Sequence, residues 1–366
     1  VRQPRFRSFA WGGFEGASHH RFDRRRVDSI AGTAHDRWAF QDHEILKRCG
    51  VETAREAFRW HLVERGAGLY DWSSARGQVQ GALEAGVEVI WDICHWGLPE
   101  GLDVMDRDWP RRLADFAVAC ARMLEQEGAP AAGLVPVNEI AFWAWAGGET
   151  GRFAPFRVGQ GDMLKAQLVR GHLTAVDALR DAGVRAPIVL CEPLIWVAPQ
   201  DESERAVRDA SRYRAAALDS VAAILDADPS AVDMLGLNHY PHNQWVLGGP
   251  RIAADDANYR RLSLLLGDVL KRFPVPLALA ETGAEEPDGD AWLAYVTEEL
   301  KAAQRADIFL EGVCIYPVMD YAGWDNERHC PCGLIGRDGE ARFVRRGQWD
   351  AIRALSSLLR LSAERT

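Results

Sequence analysis

Short apolar runs and longer amphipathic stretches take turns along this chain from end to end. The runs at 7–12, 51–58, 87–94, 133–138, 187–191, 232–238, 275–280 and 312–317 are rich in β-branched and other apolar residues, and several lack strict alternation. A strand that is apolar on both faces is buried on both faces, as parallel strands are. Between these runs, residues 35–48, 110–127, 161–182, 203–225, 258–272, 290–305 and 345–361 carry apolar side chains at three- and four-residue spacing, the repeat of an amphipathic helix. Gly50-Val51, Gly86-Val87 and Gly183-Val184 set a glycine at a helix stop and a valine at the next strand start. Eight strands in strict alternation with about as many helices predict a (β/α)8 TIM barrel, a single domain over residues 1–366.

Composition narrows this further. No Ser/Gly/Pro-rich linker, low-complexity tract or internal repeat breaks the alternation, so a length of 366 residues is read as one barrel rather than two domains. A net charge of -10 without a basic stripe argues against nucleic acid or an anionic membrane as partner. No apolar stretch approaches the roughly 18 residues of a membrane span. The opening Val1-Arg2-Gln3-Pro4-Arg5 lacks the apolar core of a signal peptide, although a start at Val leaves room for a removed leader. Seven cysteines, an odd number without framework spacing, sit mostly inside apolar runs and read as reduced core thiols, which fits a cytoplasmic protein.

Cofactor and metal signals are weak. A GxGxxG or Walker pattern is absent, and Gly12-Gly13-Phe14-Glu15-Gly16 reads as a tight turn at the barrel mouth. His329-Cys330-Pro331-Cys332 has no second Cys/His pair near it, and His19, His20, His239 and His242 have no carboxylate at matched spacing. Neither a cofactor nor a metal is expected.

Two runs end on an acid: Pro136-Val137-Asn138-Glu139 and Leu279-Ala280-Glu281-Thr282. In a (β/α)8 barrel the ends of strands form the catalytic face, so both carboxyls reach one site. Two facing carboxyls are the minimum equipment for cleaving a glycosidic bond. Arg55, late in the second strand, can pair with Glu281 and keep it ionised. A lone Asn-Glu or Glu-Thr pair is usually surface or a helix cap, and a lone strand Arg is usually an ion-pair partner. Their joint placement at the ends of strands two, four and seven is what favours a catalytic site. Fourteen tryptophans, with Trp96, Trp143, Trp145, Trp196, Trp245 and Trp324 just after strand ends, fit an aromatic-lined sugar cleft.

The order of motifs resembles the family 1 glycoside hydrolases, the β-glucosidase-like members of the retaining-barrel clan, over nearly the whole chain. Phe9-Ala10-Trp11-Gly12 is similar to that family's opening strand, and residues 42–60 to its first helix and second strand. Cys94-His95-Trp96-Gly97-Leu98-Pro99, Val137-Asn138-Glu139, Gly236-Leu237-Asn238-His239-Tyr240 and Ala280-Glu281-Thr282-Gly283 follow in the family's order. Asp320-Tyr321-Ala322-Gly323-Trp324 and Gly333-Leu334-Ile335 resemble its last strand and the loop after it.

The resemblance implies a retaining glycosidase acting on a sugar or glycoside substrate, with Glu281 as nucleophile and Glu139 as acid/base. It further implies that Asn138 meets the sugar 2-hydroxyl, which requires a bulge or a strand end because adjacent strand residues point apart. Tyr240 would orient Glu281, His95 would reach a ring hydroxyl, and Trp324 would line the sugar site. The chain departs from the pattern in two recognition positions. His19 or a neighbour stands where the family has a glutamine, and Gly323 where it has a glutamate. Glycine at 323 is expected to open space and His19 to add a group that can carry charge, so the substrate is expected not to be a plain glucoside. Glu327, Arg328 or His242 could refill the gap and restore ordinary hexose recognition. A transglycosylase, favoured by an apolar acceptor site of Trp143, Trp145 and Trp245, would use the same residues. A carbohydrate-binding barrel without turnover is the reading outside enzymes.

Overall fold

A computed structural model describes residues 5–364. Its core is an eight-stranded parallel sheet of β1 (Ala10–Gly13), β2 (Thr53–Ala57), β3 (Glu88–Asp92), β4 (Gly133–Val135), β5 (Val189–Pro193), β6 (Met234–Asn238), β7 (Leu277–Thr282) and β8 (Leu310–Ile315). The order is β4-β3-β2-β1-β8-β7-β6-β5, and parallel bridges Leu134 to Ile188 and Asn138 to Cys191 join its two ends. The strands therefore close into the expected (β/α)8 barrel, with every apolar run supplying one strand.

Alternation along the strands sorts side chains into two cores. Trp11, Ile90, Val135, Val189, Cys191, Met234, Ala278, Ala280 and Cys314 fill the barrel, while Ala54, Trp91, Leu134, Leu190, Leu237 and Leu279 face the surrounding helices. Trp11 packs edge-on against Phe6 at 4.7 Å and plugs the lower end. A Cβ on Gly312 would lie 2.2 Å from the Trp11 indole, so β8 needs glycine there.

One strand breaks the alternation where it matters. On β7, Leu279 pairs with Leu237 and Glu281 with Asn238, so two steps on β7 match one on β6; against β8 the same offset appears between Leu279 and Thr282, after an opposite one between Leu277 and Leu279. This bulge at Ala280 turns Glu281 from the helix-facing parity of Leu279 into the barrel.

The long helices follow the amphipathic pattern, with two differences. Ser73–Ala85 is a helix that the apolar spacing does not announce. The single stretch expected at 203–225 is two helices, Glu204–Ala216 and Asp219–Ala227. The segment 320–324, likened to a last strand, instead follows β8 and forms a short hairpin, Tyr321–Ala322 against His329–Cys330. Among the described residues no helix is long and apolar enough to cross a membrane. The opening residues 1–4, read against a signal peptide, lie outside the described residues.

Candidate active site

Six strands bring a polar residue to the site: Arg55 midway along β2, Asp92 at the end of β3, Glu139 just past β4, Glu192 late in β5, Asn238 at the end of β6 and Glu281 late in β7. All but Glu192 follow the inward parity or are brought to it by a bend or the β7 bulge. Arg55 is 1% exposed and forms the hub. Its Nε and Nη2 donate to both Asp92 oxygens at 2.9 and 2.8 Å, a two-pronged grip that fixes the guanidinium plane. Nη1 donates to Glu281 Oε1 at 2.8 Å and to the Ala280 carbonyl, turned inward by the bulge, at 3.2 Å. Nη2 also donates to Asn138 Oδ1 at 2.7 Å. Against the upward push of burial, Arg55 and His95 hold Asp92 below its ordinary value, and Asp92 leads the groups that hold the Arg55 guanidinium charged.

This hub sets the direction of the hydrogen bonds around it. Arginine only donates, so Asn138 must present its oxygen to Arg55 and its amide to His95 Nε2, 3.0 Å away. His95 Nε2 is then an acceptor, and the ring carries its proton on Nδ1, 2.9 Å from Asp92 Oδ2. Both nitrogens of His95 are engaged within the protein, whereas Asn138 uses only one of its two amide N–H groups and one lone pair of its oxygen. The strand-end geometry anticipated for Asn138 is present, because β4 stops at Val135 and Glu139 adopts φ 45°. That left-handed backbone, uncommon outside glycine, turns both Asn138 and Glu139 inward.

The two glutamates sit in contrasting surroundings. Glu281 accepts from Arg55 and, through Oε2, from the Tyr240 hydroxyl at 2.8 Å, so both oxygens accept as a carboxylate's do. Glu139 has one side-chain donor, Asn238 Nδ2 at 2.9 Å on Oε1. Burial, then the charge of Glu281, raises Glu139 well above the usual carboxylate range. Asn238 is the cross-strand partner of Glu281, so one register position links the two carboxyls. Glu192 faces outward, takes the Ala141 N–H at 3.0 Å and a hydrogen bond from Ser220, and is pushed up to about 7 by burial. It anchors the turn that holds Glu139.

Both glutamates open into a cavity of about 830 Å³, also lined by His19, His95, Tyr240 and Trp324. All eight expected site residues are thus brought together, Arg55 and Asn138 as supports beneath the lining. Of the expected aromatic residues, Trp96, Trp145, Trp245 and Trp324 line it. Trp143 does not: it is buried, with Nε1 donating to the Ala154 carbonyl at 2.8 Å. Trp196 lies between Arg214 and Arg260, at 4.4 and 5.0 Å from its ring.

Several recognition-side expectations need correcting. His19 packs among Phe153, Trp324 and Trp96 at 4.4 to 5.7 Å, and burial, aided by His95, lowers it to about 3. It is a neutral group rather than a carrier of charge. Gly323 opens no space into the cavity, because a Cβ there would meet Asn326 Oδ1 and Cys330 Sγ at 3.3 Å. Arg328 is taken by Glu285, and Glu327 by Arg21 and Arg25, leaving His242 as the one refilling candidate on the lining. Glu15 supplies the carboxyl on this side. It lies in the glycine-rich turn, lines the cavity, accepts from Ala17 N at 3.0 Å and is raised by burial to about 7.

Sequence reasoning missed Asp92, Glu192, Glu15 and Asn238 as parts of the site. Val-Ile-Trp-Asp and Val-Leu-Cys-Glu carry the same signal as the two glutamates, an apolar run ending on an acid. Of the metal-like groups weighed, none converges; Cys330 and Cys332 are buried free thiols.

No protein-family model matches the chain, and no curated protein matches it in sequence. Solved structures do match. The AHE enzyme from Alicyclobacillus herbarius superimposes with TM-score 0.77 at 17% identity, covering 97% of this chain and 100% of that one. A family 1 β-glucosidase from Thermotoga maritima gives 0.79 at 16% identity, over 95% and 97%. A rice β-glucosidase mutant in a covalent complex with Glc gives 0.77 at 14% identity, over 96% and 98%. The chain thus has the fold of the β-glucosidase barrels to which its motifs were likened.

Proposed function

We propose that this chain is a retaining β-glycoside hydrolase. The observation that carries the reading is the unlike pair in one cavity: Glu281 with both oxygens accepting, and Glu139 with one side-chain donor and a carboxyl pushed well above the usual range by burial and then by Glu281. In the first step a Glu281 oxygen bonds to the anomeric carbon as the glycosidic C–O bond breaks, and the Glu139 proton goes to the departing oxygen. Esterification removes the Glu281 charge, and with it one cause of the raised Glu139, which can then accept a proton from water. That water bonds to the anomeric carbon and frees the Glu281 carboxylate. Arg55 and Tyr240 hold Glu281 in place, and Asp92 holds Arg55. The thermophile and rice neighbours, one of them in a covalent complex with Glc, support this chemistry by likeness.

The sugar is proposed not to be a plain glucoside. Support comes from the neutral His19 and the carboxyl of Glu15, which line the cavity of a chain that lacks the recognition groups expected of the family. A set of mechanism-based fluoroglycosides tests both statements, with 2-fluoro donors for glucose, galactose, mannose, fucose, xylose and glucuronic acid and a 5-fluoro donor for glucosamine, whose C2 carries nitrogen. Mass spectrometry should find one sugar bound to the peptide containing Glu281, with glucose not the fastest to label. Binding without labelling for every sugar would sink the hydrolase reading; fastest labelling by glucose would sink the substrate reading alone.

A further inference from the structure

On the helix-facing side of β2, away from the cavity, His35, His43 and Glu56 meet in the interior with exposures of 0, 0 and 1%. His35 Nε2 lies 2.7 Å and His43 Nε2 2.9 Å from the same oxygen, Glu56 Oε1. The remaining polar atoms of two of these side chains are already held from behind. Asp42 Oδ2 is 2.9 Å from His35 Nδ1, and Gln78 Nε2 donates to Glu56 Oε2 at 2.7 Å. Asp42 is itself gripped by Arg342 at 2.8 and 3.2 Å. The Phe14 ring stacks on His35 at 3.7 Å and meets His43 edge-on at 5.2 Å.

One atom of each residue is thus left facing the other two. A proton on His35 Nε2 satisfies the pair with Glu56 and nothing more. His43 then keeps both ring nitrogens buried without a hydrogen-bond partner, because its N–H direction misses the oxygen 2.9 Å away. A divalent ion at the meeting point accepts a lone pair from all three. We propose that His35, His43 and Glu56 bind a structural divalent transition-metal ion of the zinc class. Two imidazoles and a carboxylate suit zinc, whereas calcium and magnesium favour all-oxygen sets. The carboxylate behind His35 and the amide behind Glu56 are the outer contacts that orient metal ligands. Ligand bonds of about 2.0–2.2 Å set neighbouring ligand atoms about 3.3–3.5 Å apart, so the two contacts to Glu56 open by about half an ångström on binding. The ion would tie β2 to the helix His35–Arg48 directly behind Arg55.

The test uses the full chain expressed in zinc-supplemented medium and purified with a chelator wash. Elemental analysis should find about one zinc per chain, and cobalt-grown protein should show the visible absorption of nitrogen- and oxygen-bound cobalt. His43→Leu and Glu56→Gln should each lower the zinc content at least about tenfold. Circular dichroism shows whether each variant is folded, and His43→Leu leaves the His35–Glu56 pair in place, so metal loss is read on a folded chain. Wild-type protein that is folded yet holds less than about a tenth of an equivalent overturns the proposal and leaves a proton-bridged His35–Glu56 pair. Full zinc retention by folded His43→Leu overturns it equally.

Discussion

The cavity has two walls of different construction. One is made by strand ends, where Arg55, Asp92, Asn138, His95, Tyr240 and Glu281 have their polar side-chain atoms tied to one another at 2.7 to 3.0 Å. The other is made by loops, where His19 sits among aromatic rings with Nδ1 unpartnered and Trp324 has an unpartnered Nε1. A ring of paired strands fixes its neighbours to fractions of an ångström, so the first wall can hold a charged network that survives only if complete. Loops can change residue by residue without disturbing the barrel. The proposed reaction therefore belongs to the strand wall and the choice of sugar to the loop wall.

That division can be broken by mutation. The largest effect is expected from Glu281→Ala, which should lower turnover by at least about four orders of magnitude, as loss of a nucleophile does. Azide should partly restore it and give a product of inverted configuration, read by NMR; an unaided mutant with wild-type rates contradicts the assignment. Next comes Asp92→Ala, which leaves the Arg55 charge buried beside one fewer carboxylate. A stability loss of about 3–5 kcal/mol is expected in denaturant titration, with kcat falling more than KM changes. Asp92→Asn keeps the shape and should lose less.

The pH dependence separates the two glutamates. The proposed first step needs the Glu139 proton, so kcat/KM should fall as pH rises through the raised value of Glu139, above the ordinary carboxylate range. Glu139→Gln, measured with a dinitrophenyl glycoside whose leaving group needs no proton, should flatten that basic limb. An unchanged limb would assign it to another group, with Glu15 the first to examine. The smallest effect should come from the loop wall. His19→Gln is expected to alter the preference between sugars by about tenfold while leaving denaturation midpoints nearly unmoved. A loss of activity on every sugar alike would mean that the loop wall serves the reaction as well.

The strands were legible because burial on both faces writes itself as continuous apolar sequence, and the site was legible where such a run ends on an acid. The helix Ser73–Ala85 was not, because small residues, Ala75, Gly77, Gly81 and Ala82, make up much of its packing surface. A Cβ at Gly77 would lie 2.8 Å from the Asp36 carbonyl, and one at Gly81 2.6 Å from Phe40 N, so close contact with the helix His35–Arg48 requires the residues that weaken the helical signal. Asp92 and Glu192 were legible in principle by the rule that found Glu139 and Glu281. Their roles were not, since nothing local says that Asp92 meets Arg55, 37 residues away in the chain. The neutrality of His19 depends on three aromatic rings from distant loops, which no spacing in the sequence encodes.

The bulge on β7 has a consequence for anyone who edits or searches this sequence. The strand carries one residue more than its pairing with β6 requires, and that surplus decides which way everything after it faces. Removing Ala280 would keep the Glu-Thr-Gly letters intact, and a pattern search would still find them. The deletion would return the strand to regular alternation with the glutamate still opposite Asn238 and facing inward, but it would remove the Ala280 carbonyl that accepts from Arg55. The address of that side chain is a count along the strand plus the bulge within it, so straightening the bulge with every residue kept would turn the glutamate to the helix layer.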